Sequence, residues 1–139
     1  MRLVLDTNVL VAAIRSSSGA SSDLIDALLL HKATLLLSIA LFLEYQAVCL
    51  RPDHREASGT SEETIGRMLG SLVDIAIPVQ IYFQWRPQLR DPKDEMVLEA
   101  AVNGRADAIV TFNQRDFGQA PAIFGVEVLR PGEVLRRIR

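Results

Sequence analysis

Short apolar runs alternate with stretches of helical spacing along this chain of 139 residues. Arg2–Asp6 reads as an apolar strand closed by polar Thr7 and Asn8. A helix is expected over Val9–Arg15 and a Ser/Gly turn over Ser16–Ser22. Leu24, Ile25, Leu28 and Leu29 give Asp23–His31 the spacing of an amphipathic helix. Thr34–Leu37 is too short and too evenly apolar for that pattern and predicts a buried strand. Ser38 is placed to cap a helix running to about Leu50, and Arg51-Pro52 ends it because a residue before proline resists helical geometry.

Asp53–Thr60 reads as a polar loop. Ser61, Glu63 and Thr64 mark the next helix start, continued over Thr64–Val73. Asp74–Ile81 reads as a strand in which Pro78 argues for an edge or an early end. A loop over Arg86–Pro92 leads to a helix over Lys93–Asn103, with Met96, Val97, Ala100 and Ala101 on one face and Gly104 as its terminator. Ala108–Thr111 and Val126–Leu129 read as strands, Gln114–Phe117 as a helical turn and Gly132–Ile138 as a last helix.

Strands alternating with helices predict an α/β fold, a three-layer α/β/α sandwich around a mainly parallel, roughly five-stranded sheet. With no repeat, low-complexity segment or linker, residues 1–139 are expected to form a single domain. In such sheets ligands bind outside the carboxyl ends of the strands, so site residues should come just after strands.

Composition narrows the class. At 49% hydrophobic and 23% charged residues, the chain is expected to fold and not to remain disordered. The longest apolar stretch, Ala33–Leu43, is broken by Ser38 and falls short of the roughly eighteen residues a membrane span needs. Asp6 arrives too early for a signal peptide. The single cysteine, Cys49, allows neither an internal disulfide nor a thiolate zinc site, fits a reducing cytoplasm and reads as a small core residue. A net charge of −2 does not favour a module that holds nucleic acid by charge alone. It suits a protein whose acids converge.

Four acidic points stand out, and several of them lie just after predicted strands or at helix starts. Asp6 ends the first strand, where it can face the crevice or cap the helix that follows. Asp91, Asp94 and Glu95 open a helix, where acids also suit the dipole and Asp91 can make the turn. Glu44 lies mid-helix, where a glutamate is ordinarily solvated. Asp116 follows the strand ending at Thr111, and Asn113 could cap the turn between them. Each alone has a bland reading; together they lie where a site should be.

These segments resemble the PIN-domain family of ribonucleases, in order, from Met1 to Val128-Leu-Arg-Pro131. Val4-Leu-Asp6-Thr-Asn8 is similar to the opening strand, Leu41-Phe-Leu-Glu44-Tyr to the segment supplying the glutamate, and Arg90-Asp-Pro-Lys-Asp94 to the third acidic motif. Ala106-Asp-Ala-Ile-Val-Thr111-Phe-Asn113-Gln-Arg-Asp116-Phe117 is similar to the fourth. The likeness is greatest to PIN proteins described as toxins of toxin–antitoxin systems. One departure stands out: many relatives carry an aspartate where Asn113 falls, so one negative charge is missing.

The resemblance implies a metal-dependent endoribonuclease hydrolysing single-stranded RNA. Mg2+ or Mn2+ would be held by Asp6, Glu44 and Asp94, and Asp116 would bind the metal or orient the attacking water. Asn8, Thr111, Asn113 and Asp91 would position those carboxylates or the water. Arg90 and Arg115 are the candidate RNA contacts among Arg15, Arg51, Arg86, Arg90, Arg105 and Arg115, each of which also reads as ordinary surface. A small antitoxin and a homodimer are the implied partners. Arg136, Arg137 and Arg139 form a basic tail on the last helix. His31 and His54 read as a helix-end and a loop residue. Tyr82, Phe83 and Trp85 could stack on bases or pack at a strand end.

Two rivals remain. A degenerate PIN fold would bind RNA or protein without cutting, which Asn113 makes arguable. A phosphohydrolase with Asp6 as nucleophile would want a second aspartate at position 8, where Asn stands. No glycine-rich phosphate loop appears.

Overall fold

Three residues of the first strand, Leu3, Val4 and Leu5, are completely buried, and the strand that carries them is the centre of the sheet. In the computed structural model, which describes residues 1–84, 86 and 88–138, β1 (Arg2–Leu5) pairs in parallel with β2 (Thr34–Leu37) on one side and β4 (Ala108–Val110) on the other. The edges are β3 (Ile77–Pro78) beside β2 and β5 (Glu127–Leu129) beside β4, giving the order β3-β2-β1-β4-β5, all parallel. Strands flanked on both sides and covered on both faces have no polar face to show, which is why β1, β2 and β4 read as unbroken apolar runs.

Eight helices are found among the described residues: α1 (Thr7–Arg15), α2 (Ala20–Leu29), α3 (Ile39–Cys49), α4 (Pro52–Ser58), α5 (Glu62–Ile75), α6 (Pro92–Asn103), α7 (Ala120–Ile123) and α8 (Pro131–Ile138). Parallel crossovers are right-handed, so chain direction across the sheet decides which face a helix covers. From β1 to β3 the chain moves one way; from β3 to β5 it moves the other. The connections before and after that reversal therefore cover opposite faces, with α6 packed on β1, β2 and β4. The order also diverges at β1, from which the chain runs first to β2 on one side and later returns to β4 on the other, and sheets of this kind take ligands outside the carboxyl ends of such strands.

Several expected boundaries move. The first helix starts at Thr7 rather than Val9, with Asp6 as its cap. The turn expected over Ser16–Ser22 is shorter, because α2 already begins at Ala20. Asp53–Thr60, expected as a loop, is mostly α4: Pro52 supplies a preset φ where no amide donor is needed, and Gly59 ends the helix at φ 67°. None of its residues is buried, so it has no apolar stripe to read. The strand expected over Asp74–Ile81 shrinks to Ile77–Pro78, because α5 takes Asp74 and Ile75 and only Leu36 and Leu37 of β2 are opposite. The short helix α7 was not anticipated.

Ser38 caps α3 by accepting from Leu41 N at 3.2 Å, and Cys49 is buried as expected, with burial pushing its thiol up to about 11. His54 lies on α4 instead of in a loop, and its Nδ1 is 2.7 Å from Arg15 Nη2. His31 follows α2 in a left-handed turn, φ 59°. Trp85 and Arg139, named above for stacking and for the basic tail, lie outside the described residues.

Candidate active site

The carboxyl ends of β1 and β4 are joined by the Asp6 N bond to Val110 O, at 2.9 Å, and by a bond between side chains. Thr111 Oγ1 donates to Asp6 Oδ2 at 2.7 Å, while Asp6 Oδ1 accepts from Thr7 N at 2.8 Å. The Thr111 hydroxyl is fully buried and also accepts from Asn8 Nδ2 at 3.2 Å and from Asn113 N at 3.0 Å. Asn8 thus touches Thr111 rather than Asp6 directly. Asp6 makes the cap of α1 and is only 9% exposed. Burial raises its pKa; the Thr111 and Thr7 donors pull the other way, and the charges of Asp116 and Asp91 add to the rise.

Asp94 comes from the first turn of α6. Its pKa is pushed up to about 7, first by burial and then by the negative charges of Asp6, Asp116, Asp91 and Glu95. A carboxyl poised near neutrality among other acids is a crowded one, and crowding of this kind favours either a bound proton or a bound cation. Asp91 caps α6 by accepting from Lys93 N at 2.9 Å, so its turn-making role holds. It also lines a cleft of about 520 Å3 with Asp94, Asp116, Arg90 and Arg115. Asp6 is joined to that cleft by charge and is not part of its wall.

Asp116 sits exposed on the 3-10 turn Gln114–Phe117, held by the fully buried Phe117. Asn113 occupies the cap position of that turn without a side-chain cap bond, so the capping role considered for it is absent. It lines a neighbouring hollow of about 390 Å3 with Arg115, Asp116 and Arg130.

Glu44 is placed differently. Its Oε1 lies 3.7 Å from Lys93 Nζ, and among the described residues it is not one of the charges that raise Asp6 or Asp94. The residue beside it does reach the site: the Tyr45 hydroxyl donates to Leu5 O from full burial, and the charge of Asp6 helps to raise its pKa. Tyr45 thereby ties α3 to the end of β1. Of the other arginines, Arg15 faces His54, Arg86 is bound to Glu99 and Arg137 of the tail is bound to Glu127.

The donor set suits a hard divalent cation. It consists of carboxylate oxygens with water access, no soft ligand, and repulsion that a cation relieves. Among the described residues, however, no three Asp, Glu, His or Cys groups already stand where they could hold one ion. Of the four acids named from the sequence, Asp94 and Asp116 share the cleft wall, Asp6 acts on Asp94 by charge, and Glu44 stands beside Lys93.

Sequence reasoning passed over Tyr45, Glu99 and the role of Glu95. The last two are buried on α6 to 4% and 7% exposure for Glu95 and Glu99, and they recur with Asp91 and Asn103 at every fourth position. That spacing was the available signal.

Comparison with protein families gives a match to the PIN domain model over residues 2–115. The matched stretch contains Asp6, Glu44, Asp91 and Asp94 and stops one residue before Asp116. No curated protein matches the chain.

Proposed function

The chain belongs to the PIN-domain family, whose members have a nuclease-type fold and typically use divalent metal ions, and on that premise we propose that it is a Mg2+- or Mn2+-dependent endoribonuclease acting on single-stranded RNA. The observation that carries the reading is that Asp91, Asp94 and Asp116 line one cleft, where burial first and then the charges of Asp6, Asp116, Asp91 and Glu95 push Asp94 up to about 7.

Asp6, Asp94 and Asp116 would hold the ion, with Glu44 recruited from Lys93. The ion, when bound, supplies charge neutralisation for the phosphate and lowers the pKa of a coordinated water. Thr111 keeps one Asp6 oxygen oriented through its hydroxyl. Asp94 must lose its proton before it can coordinate. Asp116, exposed to solvent, orients the attacking water for in-line displacement. Arg90 and Arg115, both exposed and both lining the cleft, would contact the backbone phosphates flanking the scissile one.

Purified protein should cut a single-stranded RNA in Mn2+ and stop on addition of chelator. Asp6→Asn and Asp94→Asn should each cut at least about a hundredfold more slowly, the scale expected when transition-state charge stabilisation is lost. Equal cutting with and without chelator would refute the reading.

We place the protein in the cytoplasm, as the toxin of a pair whose small antitoxin blocks the cleft. No described helix is long and apolar enough to cross a membrane. A homodimer belongs to the same proposal, and Ile39 and Leu43, exposed on α3, offer an apolar surface for either partner. Growth arrest on expression, relieved by a small neighbouring gene product, would support the toxin role. A second reading, a PIN fold that binds without cutting, is favoured by the Lys93–Glu44 pair and by Asn113. Calorimetry separates the two: a degenerate domain takes up no Mn2+ that Asp6→Asn abolishes.

A further inference from the structure

Tyr82, Phe83, Arg86, Gln88 and Leu89 act as a strap, fastened to α6 at three levels. Asn103 Oδ1 accepts from both Tyr82 N and Phe83 N at 3.0 Å, and its Nδ2 donates to Phe83 O at 3.0 Å. One turn down, Glu99 takes the Arg86 guanidinium in two bonds of 2.7 Å. Another turn down, Glu95 Oε1 accepts from Gln88 N at 2.6 Å and Leu89 N at 2.8 Å. The strap then delivers Arg90 and Asp91 into the acidic cleft.

Two consequences follow. The strap covers two glutamates that would otherwise repel a polyanion beside the cleft. It also displays aromatic rings: Tyr82 is 76% exposed and Phe83 59%. Exposed rings ordinarily lose rotamer freedom when a ligand stacks on them. Tyr82 is held in advance, by Asn103 at its backbone and by Gln80 Oε1, which accepts from its hydroxyl. Pre-orientation without burial is what a stacking platform needs.

We propose that Tyr82 and Phe83 form a base-stacking subsite for single-stranded RNA, with the strap as its guide into the cleft. The proposal rests on the nuclease reading above and extends it. Asn103 and Asp94 are nine residues apart on α6, about 13.5 Å at the helical rise. At about 3.4 Å per stacked nucleotide, the stacked base lies roughly four nucleotides from the scissile phosphate.

The test uses Asp6→Asn protein, which should not cut, and a fluorescently labelled single-stranded oligoribonucleotide of mixed sequence, read by anisotropy in Mg2+. Tyr82→Ala and Phe83→Ala should each weaken binding roughly 5- to 100-fold, the usual range for one lost base stack. Tyr82→Trp should retain it, and duplex RNA of equal length should be indifferent to both alanine variants. Unchanged affinity for the single strand in both variants overturns the proposal, as does an equal loss for the duplex. A change in sedimenting mass with no change in RNA affinity overturns it too, since the rings would then serve a protein contact. Mn2+-dependent cutting together with ring-independent binding sinks this inference alone. Ring-dependent binding by Asp6→Asn, with wild-type protein that never cuts in Mn2+, sinks only the nuclease reading.

Discussion

Thr111 and Asp6 stand 105 positions apart in the chain and share a 2.7 Å hydrogen bond, hydroxyl to carboxylate, at the ends of adjacent strands. The bond depends on the register that sets Leu5 opposite Val110, so each carries its next residue to the same edge of the sheet. Thr111→Val keeps the shape and removes the donor. It leaves one Asp6 oxygen, Asn8 Nδ2 and Asn113 N without their partner, which should cost about 1–3 kcal/mol in chemical denaturation. Thr111→Ser should recover most of that. Mn2+ affinity should fall with the valine and return with the serine; an unaffected affinity would mean that Asp6 needs no such support.

The crowded acids predict an unusual pH dependence for the cation-free protein. Asp94 has a folded pKa of about 7 against an ordinary 3.8, and Asp6 is shifted in the same direction. The folded state therefore binds these protons more tightly than the unfolded chain. The stability they contribute is complete below about pH 4 and is lost as pH rises through about 7. In chelator, Tm should be lower at pH 8 than at pH 5, and Asp94→Asn should flatten the slope. Discounted for the partial exposure of Asp94, the effect is about 1 kcal/mol, or roughly 4 °C. Saturating Mn2+ should remove the fall, because the ionised carboxylates then gain a partner. A Tm that climbs across this range in chelator would contradict the arrangement.

What the sequence disclosed and what it hid have a common cause. The places of Asp6, Asp94 and Asp116 were legible because each lies just after an apolar strand or at a helix start, and the parallel topology fixes where those points fall. The strap was hidden because Glu95, Glu99 and Asn103 look like the wet face of a helix, whereas they are covered by a segment with no periodicity of its own. α4 escaped for the reverse reason, since a helix without buried residues leaves no stripe. Glu44 lies on α3 where expected, 3.7 Å from Lys93, and the buried contact with the end of β1 is made by its neighbour Tyr45, which no motif pointed to.

Gly104, read from sequence only as a helix terminator, is also a packing requirement. Its φ of −86° is open to any residue, so the constraint is space. A methyl group there would lie 2.8 Å from Ala100 O, 2.9 Å from Val79 Cγ2 and 3.1 Å from Leu36 Cδ1. The backbone oxygen cannot step aside without opening the last turn of α6. Gly104→Ala should therefore destabilise by roughly 1–3 kcal/mol, the usual cost of overpacking, instead of gaining the stability that Gly→Ala gives at open sites. Gly66 and Gly70 of α5 supply the control: nothing lies within 4 Å of an added methyl at either, so alanine there should be neutral or stabilising. Thermal unfolding of the three variants would decide it.

The Lys93–Glu44 pair makes the last prediction. At 3.7 Å, with Lys93 more than half exposed, the pair contributes little stability, about 0–1 kcal/mol. Its consequence for the site is larger than its strength, because Lys93 adjoins Asp94 in the chain and holds the carboxylate that the cation would recruit. Lys93→Gln frees Glu44 and also removes a positive charge that opposes cation entry. Tm should hardly move, while calorimetry should show Mn2+ bound up to about fivefold more tightly, the equivalent of 1 kcal/mol. In a Glu44→Gln background the same substitution should lose most of that gain, leaving only the effect of the removed positive charge. If Lys93→Gln instead weakens Mn2+ binding, the lysine orders the site and Glu44 is not a ligand in waiting.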